Sequence, residues 1–274
     1  MDSLNKSIEN HYLKAGLYED IINRLIKQNI ALDNVKRSDI SGTDEFHVRG
    51  AVVSKELANS IKINGLDVLD VGCGLGGPCR MLADEYKCQT TGIDLSNEYI
   101  RTATKLSELV NLKDKTTFIQ GNATELPFED KTFDVVWTQH VQMNIPNKKK
   151  FYSEINRVLK TDGYFLFYEI LRKENGTINY PMPWASVSNH SFLFKAEEMD
   201  KYLIELGLTR ELSTDQTQAG IIFFETLVAK LKEFGPPKMG LNVLMGDTTK
   251  TKLMNLLTHL KSGELELKSG VYKK

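Results

Sequence analysis

The 274-residue chain predicts a doubly wound α/β fold, with a parallel sheet covered by helices on both faces. Three observations carry this prediction. Short apolar runs alternate with amphipathic stretches between residues 66 and 171, the rhythm of βαβ units. The first run, Leu66–Val71, is apolar enough for a strand buried on both faces. It ends in a glycine-rich turn, VLDVGCGLGG at 68–77, where a helical pattern begins.

Residues 1–35 read as helical, with Leu13, Leu17, Ile21, Leu25 and Ile30 at three-to-five-residue spacing. Residues 36–50 read as a loop and 51–62 as a helix. After the first strand come a helix over 77–86, a strand over Gln89–Asp94 and a helix over Asn97–Val110 capped by Ser96. Strands follow at Thr116–Gln120 and Thr132–Gln139, then a helix at Phe151–Leu159 and a strand at Tyr164–Leu171. Residues 172–194, with Gly176, Pro181 and Pro183, read as a loop. A helix over Ala196–Leu206 stops at Gly207, and a strand lies near Leu208–Ser213. The stretch 219–262 is mainly helical, broken at Gly235, Pro236 and Pro237, and Leu265–Tyr272 is the last strand. The chain thus divides into an N-terminal helical cap segment, 1–62, and a main domain, 63–274, with lid elements at 172–194 and 219–262.

Charge excludes some classes of function. With 35 basic and 36 acidic residues the net charge is −1, which gives no general attraction to nucleic acid or to a membrane surface. Lys148, Lys149 and Lys150 read as a solvated surface patch. Cys73, Cys79 and Cys88 have neither a disulfide framework nor zinc spacing, and no histidine cluster accompanies them, so no metal site is expected. The opening MDSLNKSIENHY lacks a signal pattern, and no apolar run approaches the roughly 18 residues needed to span a bilayer. The expectation is a reduced, cytoplasmic protein, monomeric or homodimeric, without stable membrane insertion.

Gly72, Gly74 and Gly76 sit between strand and helix, where bare backbone lets a ligand approach and the helix N-terminus offers amide groups. Gly72, Gly74 and Gly77 also fit the dinucleotide pattern G-x-G-x-x-G, so glycines alone leave the ligand open. Asp70, two residues before the first glycine, disfavours a pyrophosphate and suits the ammonium and sulfonium of S-adenosylmethionine. Asp94 closes the second strand in GIDLS, placed to accept hydrogen bonds from ribose hydroxyls. Gly121–Asn122–Ala123 follows the third strand, where a polar side chain and backbone can meet adenine.

The successive segments VLDVGCGLGG, GIDLS, GNATELPFEDKTFDVVWT and EINRVLKTDGYFLFYEI resemble the ordered motifs of class I S-adenosylmethionine-dependent methyltransferases. The resemblance covers roughly residues 46–171 and implies a Rossmann-like, seven-stranded sheet whose last strand is antiparallel. It implies S-adenosyl-L-methionine as cofactor. Asp70, Gly72, Gly74 and Gly76 would face its methionine part, Asp94 and Leu95 its ribose, and Asn122 and Ala123 its adenine, with Gln139 completing the set. Arg80 would touch the cofactor carboxylate or have a surface or sheet-edge role. DEFHVRG, WTQHVQMNIPNK, YPMPWA and GLNVLMG resemble a narrower small-molecule group near the sarcosine/dimethylglycine and tocopherol-type enzymes.

Methyl transfer needs alignment and exclusion of water. His140, His47 and Trp184 are the candidate catalytic residues. His140 follows the fourth strand, and its imidazole would orient or deprotonate a small-molecule acceptor or serve only as a hydrogen-bonded structural group. Trp184 would form an apolar or cation-binding wall or pack within the lid. Gln142 and Asn144 would hydrogen-bond the acceptor, and Phe46 would serve as lid or core. Met239, Leu241, Leu244 and Met245 would line an apolar site or fill core. The acceptor pocket is expected from segments 46–50, 138–146 and 180–194, roofed by 219–262. A nicotinamide-dependent oxidoreductase and a non-catalytic nucleotide-binding module are the alternatives.

Overall fold

The computed structural model describes residues 3–12, 15–235 and 237–274; Leu13 and Pro236, both used above, lie outside them. The strands are β1 (Asp67–Val71), β2 (Gln89–Asp94), β3 (Thr116–Gln120), β4 (Phe133–Gln139), β5 (Leu159–Arg172), β6 (Thr209–Asp215) and β7 (Leu265–Lys273). They form one sheet in the order β3-β2-β1-β4-β5-β7-β6. β1 to β5 pair in parallel, and β7 inserts antiparallel between β5 and β6. The helices are α1 (Ser3–Tyr12), α2 (Leu17–Lys27), α3 (Arg37–Asp44), α4 (Ala51–Ala58), α5 (Gly77–Glu85), α6 (Asn97–Leu109), α7 (Lys148–Val158), α8 (Ala196–Glu205), α9 (Thr217–Phe234), α10 (Asn242–Met245) and α11 (Thr249–Ser262).

Strand residues alternate between two cores, because successive side chains leave a strand on opposite faces. Val68, Val135 and Leu166 pack with Met81 and Leu82 of α5 and Leu256 and Leu260 of α11. Their neighbours Leu69, Val136 and Phe167 pack with Phe151 and Ile155 of α7 and Met199 and Leu203 of α8. A third cluster joins Leu17, Ile21 and Leu25 of α2 to Tyr99 and Leu106 of α6. The Ser96 hydroxyl accepts from Tyr99 N at 3.3 Å, capping α6 as its sequence predicts.

Several expectations are corrected. The N-terminal helix is two helices, with Gly16 in the left-handed region (φ +72°) opening α2. Residues 36–50 are not a loop throughout, since α3 occupies Arg37–Asp44, and α4 ends at Ala58 rather than residue 62. α7 begins three residues earlier than expected because the Asn147 side chain caps it, its Oδ1 accepting from Lys150 N at 3.0 Å. β5 is longer than 164–171 at both ends, with Asp162 at φ +63° where it bends. Among the described residues no helix is long and apolar enough to cross a membrane, and no group of three or more His, Cys, Asp or Glu side chains could hold a metal. All three cysteines are buried free thiols.

Candidate functional site

The carboxyl ends of β1, β2, β4 and β5 open into one pocket, where open α/β sheets place ligands. The turn after β1 forms its base. Gly72 has φ +76°, and a Cβ there would stand 2.5 Å from Val141 Cγ2. Gly74 (φ +53°) donates its N–H to Asp94 Oδ2 at 2.9 Å, and a Cβ built on it meets no atom within 4 Å. That bare face is a cradle for a ligand. Gly76 does not line the pocket; it opens α5 at φ +77° and packs under Phe118. A Gly72→Ala variant should lose about 1–3 kcal/mol from left-handed strain and overpacking against Val141. Urea denaturation measures this, and a variant as stable as the parent contradicts the fit.

Asp70, buried at the end of β1, accepts a hydrogen bond from the Cys79 thiol (3.4 Å). Burial pushes its carboxyl up to about 7, with the Asp94 charge adding and the thiol opposing. Asp94 accepts from Gly74 N through one oxygen and from Ser96 N (2.9 Å) through the other. Burial raises its pKa against those backbone bonds. Asn122 Oδ1 accepts from both Thr124 N and Thr124 Oγ1 at 2.9 Å, which leaves its amide NH₂ as the group to offer a ligand. Asp70, Gly72, Gly74, Asp94, Leu95, Asn122, Ala123 and Gln139 all line this pocket.

His47, His140 and Trp184 line it too. His140 has φ +54°, a left-handed backbone uncommon for a side-chain-bearing residue. Its Nε2 accepts from Val48 N (3.2 Å), so the proton sits on Nδ1 and donates to Tyr168 O (3.1 Å). Both ring nitrogens are therefore engaged with backbone, and burial lowers the pKa to about 3. His47 Nε2 lies 3.0 Å from Gly50 O and 2.9 Å from Ser54 Oγ, and burial holds this ring down to about 4. Ser54 continues to the Gln139 amide, whose oxygen accepts from Trp137 Nε1 at 3.0 Å. Trp184 Nε1 donates to Ser191 Oγ (2.9 Å), and Asn144 Nδ2 donates to Trp184 O at the same distance. Gln142 is fully buried, does not line the pocket and donates to Ile170 O.

Two buried charge groups hold this arrangement, and sequence reasoning missed both. Lys148 is not a surface residue. It is 7% exposed and donates to the carbonyls of Gln142, Ile145 and Phe192, while Lys149 and Lys150 are exposed. Beneath the same loop, Glu169 Oε2 accepts from Val141 N (3.0 Å) and Gln142 N (3.4 Å). Arg80 neither reaches the pocket nor lies at the surface. It is fully buried, paired with Asp44 Oδ2 at 2.6 Å, and donates to Ala103 O (3.1 Å) and to Leu75 O.

The cover comes from both ends of the chain. Ile8 and Glu9 of α1 line the pocket, as do Phe46, Phe223, Phe224, Leu241, Leu253 and Leu256. Of the stripe Met239, Leu241, Leu244 and Met245, only Leu241 lines it. Met239 and Leu244 pack on the α2 cluster, and Met245 joins the core. The covering segments touch one another. Arg24 of α2 donates to Lys238 O at 3.0 Å, and a Cβ on Gly42 of α3 would stand 2.7 Å from Met239 O. Ser7 Oγ of α1 lies 2.9 Å from His190 Nε2 in the loop after β5.

Residues 69–167 match the family described as a methyltransferase domain. A sterol 24-C-methyltransferase of Gibberella zeae is 40% identical over 116 residues, 42% of this chain and 30% of that protein. A probable chloroplastic tocopherol O-methyltransferase of Oryza sativa subsp. japonica is 43% identical over 91 residues, 33% of this chain and 25% of that protein. The chain thus spans less than a third of the length of these curated relatives. Phosphoethanolamine N-methyltransferase 2 of Haemonchus contortus, solved with S-adenosyl-L-methionine, has the same fold, with TM-score 0.73 at 18% identity over 93% of this chain and 60% of that one. Neither the oxidoreductase nor the non-catalytic module gains support from these matches.

Proposed function

We propose, from the match of residues 69–167 to the family described as a methyltransferase domain, that this chain is an S-adenosylmethionine-dependent methyltransferase acting on the nitrogen of a small-molecule amine. One observation carries the reading. The glycine turn, Asp70, Asp94 and Asn122–Ala123 line a single pocket that runs on to His47, His140 and Trp184. The residues fit the cofactor, because Gly74 leaves an open cradle beside two carboxylates. Asp94 and Leu95 hold the ribose, Asn122 and Ala123 the adenine, and Asp70 with the glycines the methionine end. Bound there, the cofactor supplies a methyl group already activated by its sulfonium.

The chain's own part is to position and to dry the site. His140, with no ring nitrogen to spare, shapes the acceptor wall rather than abstracting a proton. An amine, which brings its own lone pair, suits such a site. Trp184, Phe223 and Phe224 close the acceptor side against water. Residues 1–62 act as a cap, and 172–194 and 219–262 as lids, on the 63–274 domain. The buried free thiols support a cytoplasmic setting, and the charge balance supports a small-molecule partner over nucleic acid, for a monomer or homodimer.

The test is a mass-spectrometric screen of amines, phenols and isoprenoid-linked rings, preceded by titration with S-adenosylmethionine and with NADH. Preferential binding of NADH, or exclusive methylation of oxygen or carbon, rejects the reading. With the acceptor in hand, His140→Ala and Trp184→Ala should lower kcat/KM for the acceptor roughly tenfold or more while cofactor affinity changes little. Near-normal turnover in both variants returns these two residues to purely structural duty.

A further inference from the structure

Resting on that reading and deepening it, we propose that the acceptor enters the pocket by a hydrocarbon part and buries no anionic group. The acceptor half is walled by Phe46, Trp184, Phe223, Phe224, Leu253 and Leu256. Among the described residues no lysine or arginine lines the pocket, whereas the carboxylates of Glu9, Asp70 and Asp94 do, together with Asp44, whose charge Arg80 matches.

Three cations lie close in the chain, and each is committed elsewhere. Arg80 is held by Asp44. Arg49, next to Val48, pairs with Glu56 and donates to Gln216 (2.7 Å). Lys148 is spent on three carbonyls. The two histidines do not substitute for them, because burial holds His47 to about 4 and His140 to about 3, leaving both uncharged at neutral pH. A phosphate or carboxylate entering here would lose its water, find no counter-charge and face acidic side chains. A neutral chain suffers none of this, and a cationic head is attracted by the same acids. The phosphate in the substrate named for the Haemonchus contortus protein is therefore the kind of group this pocket rejects.

Calorimetric titration of the whole protein at about pH 7.5, where both histidines are neutral, tests this with octylamine, 1-octanol, octanoate, octyl phosphate and methylamine, each below its micellar range. Titrations are run with and without S-adenosylhomocysteine. Octylamine and octanol should bind roughly tenfold or more tightly than octanoate and octyl phosphate, and methylamine roughly tenfold more weakly than octylamine. Either anion binding as tightly as octylamine overturns the charge rule. Methylamine binding as tightly overturns the hydrocarbon rule, and no binding by any probe overturns both. Phe223→Lys, at a half-buried position, should raise octyl phosphate affinity by about tenfold, and no gain contradicts the placement of this wall. The affinity of S-adenosylhomocysteine, read in its own titration, tests the cofactor assignment separately, since discrimination among the alkyl probes is also read without it.

Discussion

Asp44→Ala should destabilise the protein by about 3–5 kcal/mol, because it strands a fully buried guanidinium without its partner. For a chain of this size that lowers Tm by roughly 6–20 °C. Removing both partners, in Asp44→Leu/Arg80→Leu, should recover much of the loss, since the expensive species is the lone buried charge rather than the missing pair. Thermal and urea denaturation of the single and double variants decide it. A single-variant loss below about 1 kcal/mol would mean that Arg80 reaches water or finds other acceptors. The effect should extend to ligand binding. Arg80 joins α3 to Leu75 in the glycine turn and to Ala103 in α6, and Asp44 O lies 2.3 Å from where a Gly77 Cβ would stand. Loosening this joint releases Phe46, His47 and Val48, which follow one residue on in the chain.

Asp94→Ala should weaken S-adenosylmethionine binding at least roughly tenfold, since hydrogen bonds to a charged acceptor contribute about 1.5–3 kcal/mol each and 1.4 kcal/mol is tenfold in affinity. The carboxylate is already the strap that ties Gly74 N to Ser96 N, so the alanine variant also frees the turn. Asp94→Asn separates the two roles. Its amide oxygen can keep one backbone bond, while the charge that ribose hydroxyls would meet is gone. Calorimetric Kd values for both variants, alongside circular dichroism to confirm folding, make the comparison. Parental affinity in a folded Asp94→Ala protein rules out the ribose assignment.

Most of the sheet is legible in the sequence because its central strands bury both faces. Runs such as Val68–Val71 and Val135–Trp137 admit little besides a central strand, and α6 carries a visible cap at Ser96. That these carboxylates and turn residues share one pocket was legible for a related reason. They sit at strand ends, and the strand ends could be counted. What the sequence hid is tertiary. α3, with the sequence RSDISGTD, has weak intrinsic helix preference and is held by the Asp44–Arg80 pair rather than by apolar periodicity. Lys148 stands first in a run of three lysines, and only the fold shows that one turns inward to satisfy loop carbonyls. Which residues of the N-terminal segment reach the pocket was equally hidden, because Ile8 and Glu9 precede the apolar positions that mark the segment as helical.

The contacts among the covering segments have a kinetic consequence. α1 is tied to the loop carrying His190, α2 to Lys238, and α3 lies against Met239. These pieces are far apart in sequence, and the Lys238 and Met239 contacts fall within three residues of Leu241, which lines the pocket. Parting these contacts moves segments distant in sequence together, and such openings run on the microsecond-to-millisecond scale or slower. The residence time of the demethylated cofactor, rather than the methyl-transfer step, should then set the ceiling on kcat. Viscosity and pre-steady-state burst measurements would read that ceiling directly. A substitution such as Arg24→Ala, remote from every reacting atom, should raise kcat while weakening both ligands.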